Sequence, residues 1–172
     1  MDATGWILVL GLLSAVPSGA ADLPIEFRCD SMQLQRLNHR YICRGNVIVR
    51  QGNLTLCCQQ LEGLTDLEGR WQEVRCSRDV RLQRLNDLAW GERAVYRPDR
   101  RQATLTGAPI LRRGESVLTG RQIVIHLDSD RVDIDGPAGH VHPETVSQSS
   151  PQSEQTAPLP AVCPLPAAGR RP

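Results

Sequence analysis

Gly45-Asn46-Val47-Ile48-Val49-Arg50-Gln51-Gly52-Asn53-Leu54-Thr55-Leu56 decides the fold class. Val47-Ile48-Val49 and Leu54-Thr55-Leu56 have the composition and two-residue period of strands, and Gln51-Gly52-Asn53 between them has the chemistry of a turn. A strand, a turn and a returning strand are expected. The reading extends outward. Alternation recurs in Val80-Arg81-Leu82 and Ile123-Val124-Ile125, and turns are expected at Glu68-Gly69, Arg113-Gly114-Glu115 and Asp128-Ser129-Asp130. Between Asp22 and His142 no stretch carries the apolar period of a helix of useful length. The domain is expected to be all-β.

A longer period organises these strands. Gly45-Asn46-Val47, Arg78-Asp79-Val80, Ala108-Pro109-Ile110 and Gly139-His140-Val141 return an aliphatic residue after 33, 30 and 31 positions. A second column runs out of step with the first: Phe27-Arg28-Cys29-Asp30, Leu56-Cys57-Cys58-Gln59, Ala89-Trp90-Gly91-Glu92 and Leu118-Thr119-Gly120-Arg121, with its Cys/Cys/Gly/Gly position recurring after 29, 33 and 29. Two columns sharing one period of about 30 residues point to stacked, similar units that bury a continuous core only together. A single β-sandwich with evenly spaced hairpins is the plainer alternative.

The flanks differ from this middle. Trp6 to Val16 is an apolar run too short for a bilayer span of ~20 residues, and it ends in Pro17-Ser18-Gly19-Ala20-Ala21. Residues 1–21 are therefore expected to be a signal peptide, although Asp2 occupies a region that usually carries basic residues. Residues 22–142 form the domain. The stretch 143–172 holds seven prolines and runs such as Ser147-Gln148-Ser149-Ser150, a composition expected to stay disordered because it has little apolar surface to bury.

Composition excludes some functions. The 20 basic residues are all arginine and meet 19 acidic ones, and aromatics are scarce, so neither an electrostatic nor a stacking platform for nucleic acid is present. Six cysteines behind a signal peptide read as disulfide material for an oxidising compartment. Cys29 and Cys58 share one column position and Cys43 and Cys76 another, which makes these four the disulfide candidates, with connectivity open. Cys163 is expected to be a free thiol or an intermolecular linker.

The stretch 45–52 followed by Leu54-Thr55-Leu56 resembles the repeating unit of the LptA/OstA family. So do Trp90-Gly91-Glu92-Arg93-Ala94-Val95-Tyr96, Ala103-Thr104-Leu105-Thr106-Gly107-Ala108-Pro109-Ile110-Leu111 and Ser116-Val117-Leu118-Thr119-Gly120-Arg121-Gln122-Ile123. The match runs from about Pro24 to Val141, and the order and spacing of loose motifs carry it. The resemblance implies an open-ended β-jellyroll, a solenoid-like, V-shaped stack of short antiparallel strands whose interior slot holds the acyl chains of lipopolysaccharide. It also implies a periplasmic bridge, with protomers joined end to end between inner-membrane and outer-membrane transport components. The cysteines depart from the family pattern.

Catalytic constellations are missing. Gly114-Glu115-Ser116 is not a nucleophile elbow, and neither H-E-x-x-H nor a phosphate-cradling glycine loop occurs. Asp128, Asp130, Asp133 and Asp135 lack the spacing of a calcium loop, and His140 with His142 gives only two metal ligands. No enzyme activity, cofactor or metal is expected. A lipid shuttle needs none: an acyl chain of a dozen carbons costs ~10 kcal/mol to expose at ~0.8 kcal/mol per methylene, and an aliphatic slot removes that cost. The expected lipid-facing residues are Val47, Val49, Leu54, Leu56, Leu61, Val80, Leu82, Ala94, Ile110, Leu118, Ile123 and Ile125. Arg50, Arg112 and Arg113 are candidates for lipid phosphates or simply for solvated surface. The alternatives are a structural β-module of the envelope without lipid, or a β-solenoid enzyme acting on polysaccharide, for which no clustered carboxylates can be assembled.

Overall fold

The structure, a computed structural model, describes residues 23–142, 159 and 162–166. The expected leader at 1–21 and most of the expected tail lie outside the described residues. Twelve antiparallel strands form one hydrogen-bonded sheet. They are β1 (Glu26–Arg28), β2 (Ser31–Gln35), β3 (Arg40–Gln51), β4 (Leu54–Thr65), β5 (Trp71–Arg84), β6 (Asp87–Arg97), β7 (Gln102–Thr106), β8 (Ile110–Arg113), β9 (Ser116–Thr119), β10 (Gln122–His126), β11 (Val132–Asp135) and β12 (Ala138–His140). The hairpin quoted first is the turn from β3 to β4, pairing Gln51 with Leu54 and Val49 with Leu56.

The two sequence columns are where the sheet bends. In β3 the pairing with β4 breaks between Arg44 and Val47, and Gly45 and Asn46 both have positive φ. In β5 the pairing with β6 breaks between Ser77 and Val80, and Arg78 and Asp79 both have positive φ. Gly107 and Ala108 repeat the pair between β7 and β8. Inserted residues of this kind twist and bend a strand. The second column faces the first: the Asp30 amide donates to the Gly45 carbonyl at 3.0 Å, and the Glu92 amide donates to the Gly107 carbonyl at 3.3 Å. A Cβ on Gly45 would lie 2.3 Å from the Asp30 carboxylate, so the close approach needs glycine there.

The bend divides the sheet into two halves of eight strands. One half comprises β2, residues 40–44, 60–65, 71–77 and 93–97 of β3 to β6, and then β7, β10 and β11. The other comprises β1, residues 47–51, 54–57, 80–84 and 87–91 of the same four strands, and then β8, β9 and β12. Their inner faces close over a single apolar core drawn from both halves, as in a sandwich. Both ends of the stack stay unclosed: β2 and β1 edge one end, β11 and β12 the other.

One expectation about the C-terminus needs correction. Cys163 is neither free nor intermolecular but is disulfide-bonded to Cys57 on β4. The described residues 162–166 pack on the domain. Leu165 is buried against Ile48 and Cys57 on the outer face, with Leu88 and Leu159 beside it. Arg81 donates to the Leu165 carbonyl at 3.0 Å and the Trp90 indole N–H to the Pro166 carbonyl at 3.1 Å. A segment of this composition has little apolar surface for a core of its own, and here it is tethered covalently to the sheet it packs against.

Candidate functional site

The interior between the two halves is the candidate site. Val47, Val49, Leu54, Leu56, Leu61, Val80, Leu82, Ala94, Ile123 and Ile125 all lie in its core, and Leu118 packs partly buried against it. Ile110 does not. It pairs with Trp90, whose ring lies on the outer face, and the inward residue is its neighbour Leu111. The cause is a one-residue slip in the first column. The bent pair is Gly107-Ala108, so buried Pro109, not Ile110, corresponds to Val47 and Val80. A shift of one residue exchanges the faces of a strand.

Other inward residues were not foreseen: Val74, Ala89, Tyr96, Ala103, Leu105 and Leu111, together with Cys43, Cys58 and Cys76. Ala103-Thr104-Leu105 carried the alternation that identifies a strand face and was available in the sequence. The cysteines were read for redox chemistry and not for packing, although buried cysteine behaves as a small apolar residue.

The long sides of this interior differ. One is the covalently continuous bend. The other is a pair of lips where the hairpin ends of the two halves meet. Here the Tyr96 hydroxyl of one half bonds the Gln51 side chain of the other. Arg84 donates to the Leu127 carbonyl at 3.4 Å across the lips, and Arg113 reaches Asp130 at 3.3 Å while also gripping Asp87 at 2.6 Å. Arg84 is nearly buried, 4.0 Å from Asp130, and its Nε and Nη1 lack hydrogen-bond partners among the described residues. At the β1/β2 end Phe27 meets Trp71 edge-on at 6.0 Å, and Tyr41 lies 5.1 Å from the same ring. Met32, opposite inward Cys43, and Leu34, opposite Tyr41, extend the inner face to that edge and are exposed.

The core side chains of the interior pack on one another. Several of the polar groups singled out in the sequence are committed elsewhere. Arg50 pairs with Glu26, Arg112 sits over the Trp90 ring, Asp133 bonds Arg131 and His126 at 2.9 Å each, and Asp135 bonds Arg121. Such an arrangement can hold apolar chains.

A family model described as LptA/(LptD N-terminal domain) LPS transport protein matches residues 26–131. Among solved structures, the chain is similar to LptH, the LptA-homologous periplasmic component of the lipopolysaccharide transport device from Pseudomonas aeruginosa. The TM-score is 0.65 at 16% identity, over 70% of this chain and 96% of that one. No curated protein matches the sequence. At that identity the structural likeness establishes the fold, and the family match spans more than half of the sequence.

Proposed function

Since the chain belongs to the LptA/LptD N-terminal domain family of lipopolysaccharide transport proteins, we propose that it is a periplasmic bridge that holds lipopolysaccharide acyl chains between its two sheet halves. On this reading it hands the lipid from inner-membrane to outer-membrane transport components. The observation that carries the reading is the continuous apolar inner face. It runs from Met32 and Phe27 at one open edge to Val132 and Ile134 at the other, and among the described residues only non-covalent contacts close it along the lips.

A packed interior is compatible with loading. Parting the lips breaks a handful of polar contacts, each contributing ~1 kcal/mol net. Acyl chains then replace side chains as the neighbours of Val49, Leu56 and Ile123, so little apolar surface meets water. Arg84, with unfilled donors beside the lips, suits an anionic headgroup. Direction comes from the partners, because apolar contact is reversible and has no preferred sense.

Photocrosslinking with lipopolysaccharide tests the reading. Probes at Val49, Leu56 and Ile123 should label the lipid, and probes at Thr55 and Val124 on the outer face should not. Equal labelling at all five positions, or none at the inner three in protein shown to be folded, would overturn it.

A further inference from the structure

We propose that the four inner-face cysteines are the sites of two disulfides, Cys29–Cys43 and Cys58–Cys76, formed by exchange with a dithiol–disulfide oxidant. The four thiols occupy two rows on either side of the bend. Cys43 and Cys76 are both register partners of Leu61, one on each side. They therefore stand two strands apart, about 9.5 Å, beyond the bridging window of ~4.4–6.8 Å between Cα atoms. Cys58 pairs with Val47 on the other side of the bend, and Cys29 directly follows Arg28, the partner of Ile48. Joining equivalent positions within a row is thus excluded by geometry.

Contact runs between the rows. Cys29 lies beside the bend of the Cys43 strand, where the neighbouring Asp30 amide bonds the Gly45 carbonyl at 3.0 Å, and Cys58 lies where β4 and the Cys76 strand β5 lose register between Cys57 and Gln60. Of the thiols that act on Cys43 the strongest is Cys29, ahead of Cys58, and of those that act on Cys76 it is Cys58, ahead of Cys43. The two pairs are built alike: the Cys29 thiol also donates to the Ser31 carbonyl at 3.3 Å, and the Cys58 thiol to the Gln60 carbonyl at 3.2 Å. The repeat has made the same cross-bend pair twice, 29 and 33 residues apart in its two members. A four-thiolate metal centre is the competing use of such a group. Among the described residues no set of three or more His, Cys, Asp or Glu is placed to hold a metal ion, which favours pairing of the thiols with one another.

The chemistry balances. A Cys29 thiolate attacks the oxidant's disulfide and expels one of its thiols, giving a mixed disulfide at Cys29. The Cys43 thiolate then attacks the Cys29 sulfur and expels the second thiol. Two electrons and two protons pass to the oxidant for each bond formed. Cys58 and Cys76 follow the same steps. Timing follows from burial: Cys43, Cys58 and Cys76 are buried, with Cys29 only partly covered. Burial pushes the Cys43 thiol up to about 12 and the Cys76 thiol well above its ordinary value, so these two form the reactive thiolate less readily once packed. Oxidation therefore precedes closure of the two halves, and the finished bonds lie inside the core.

Tryptic mapping decides the matter, because cleavage after arginine leaves Cys29 in peptide 29–36, Cys43 in 41–44 and Cys76 in 76–78. Cys57 and Cys58 share peptide 51–70, so a Cys57→Ser/Cys163→Ser variant is mapped beside the unaltered chain. Protein secreted into an oxidising compartment is denatured, alkylated and digested without reductant. The expected result is 29–36 joined to 41–44 in both proteins and 51–70 joined to 76–78 in the variant. No cysteine of the variant should be alkylated, and its intact mass should lie about 2 Da per bond below that of the reduced chain. Four alkylated cysteines, or links joining 29–36 to 51–70 or 41–44 to 76–78, would overturn the assignment. A missing link overturns it for that pair.

Discussion

Removing the Cys57–Cys163 bond should release the C-terminal strap and lower the melting temperature by roughly 8–16 °C. The bond closes a 106-residue separation. The chain-entropy relation gives ~4.7 kcal/mol for a loop of that size, while measured bonds contribute ~2–4 kcal/mol. Without the bond, the strap must hold itself down. Ordering residues 162–166 costs ~5–10 kcal/mol of backbone entropy at ~1–2 kcal/mol each. Against this stand burial of Leu165, ~2 kcal/mol, and the bonds from Arg81 and Trp90, ~1 kcal/mol each. These sums favour release. A loss of ~2–4 kcal/mol at ~4 °C per kcal/mol for a domain of this size gives the predicted shift. The Cys57→Ser/Cys163→Ser variant is the right perturbation, because a lone Cys57 thiol would lie beside Cys58 and invite exchange. Calorimetry supplies the melting temperature, and hydrogen exchange at Ile48 and Leu88 reports the uncovered face. An unchanged melting temperature with unchanged protection at Ile48 would refute the reasoning.

Two further outcomes follow. Leu111→Ala should cost about 2–5 kcal/mol of stability as a core truncation, and Ile110→Ala only about 1 kcal/mol or less as a half-exposed outer residue. Urea titration of the two variants checks the face assignment, and equal losses would count against it. Asp133→Asn should flatten the acid limb of the melting curve. Hydrogen bonds from Arg131 and then His126 hold the Asp133 carboxyl below its ordinary 3.8. Its contribution is therefore present above that value and is lost as pH falls through the lowered one. Melting temperatures measured from pH 6 to pH 2 should separate the two proteins most near neutrality and least at the acid end, and parallel curves would refute it.

The all-β class, the strand faces of β3 to β5 and β10, and the family were legible in the sequence because period-two alternation and a repeat of about 30 residues report burial directly. The bend was legible only as a pattern: Gly45-Asn46 carries a left-handed signature, but Arg78 and Ala108, which adopt the same conformation, do not. The slip at Ile110 came from that gap: aligning aliphatic residues placed Ile110 where backbone geometry places Pro109. The docked strap was beyond local reading. Its fixed points are Cys57, Ile48 and Trp90, roughly 75 to 120 residues away, and a composition rich in proline and serine says only that a segment cannot fold alone.

The bend explains how one face of each long strand stays inward across two half-sheets. In β3 and β5 the inward positions step from Cys43 to Val47 and from Cys76 to Val80, four residues, so two residues are spent turning and the parity of alternation survives. In β4 and β6 the steps are three, Cys58 to Leu61 and Gly91 to Ala94, and the parity inverts. Strands of the two kinds alternate across the sheet, so each bent pair with positive φ lies opposite the shorter crossing of its neighbour. Only the former needs left-handed residues, at ~1–2 kcal/mol for each non-glycine one. Asn46 offsets part of this by donating to Asp30 at 2.9 Å, and Asp79 through its pair with Arg81. The larger compensation is the burial of Val47 and Val80 just beyond the bend, where a straight strand would direct the chain away from the opposite half. The strain is thus local, while the packing it permits, on both walls of one apolar interior, extends over the whole stack.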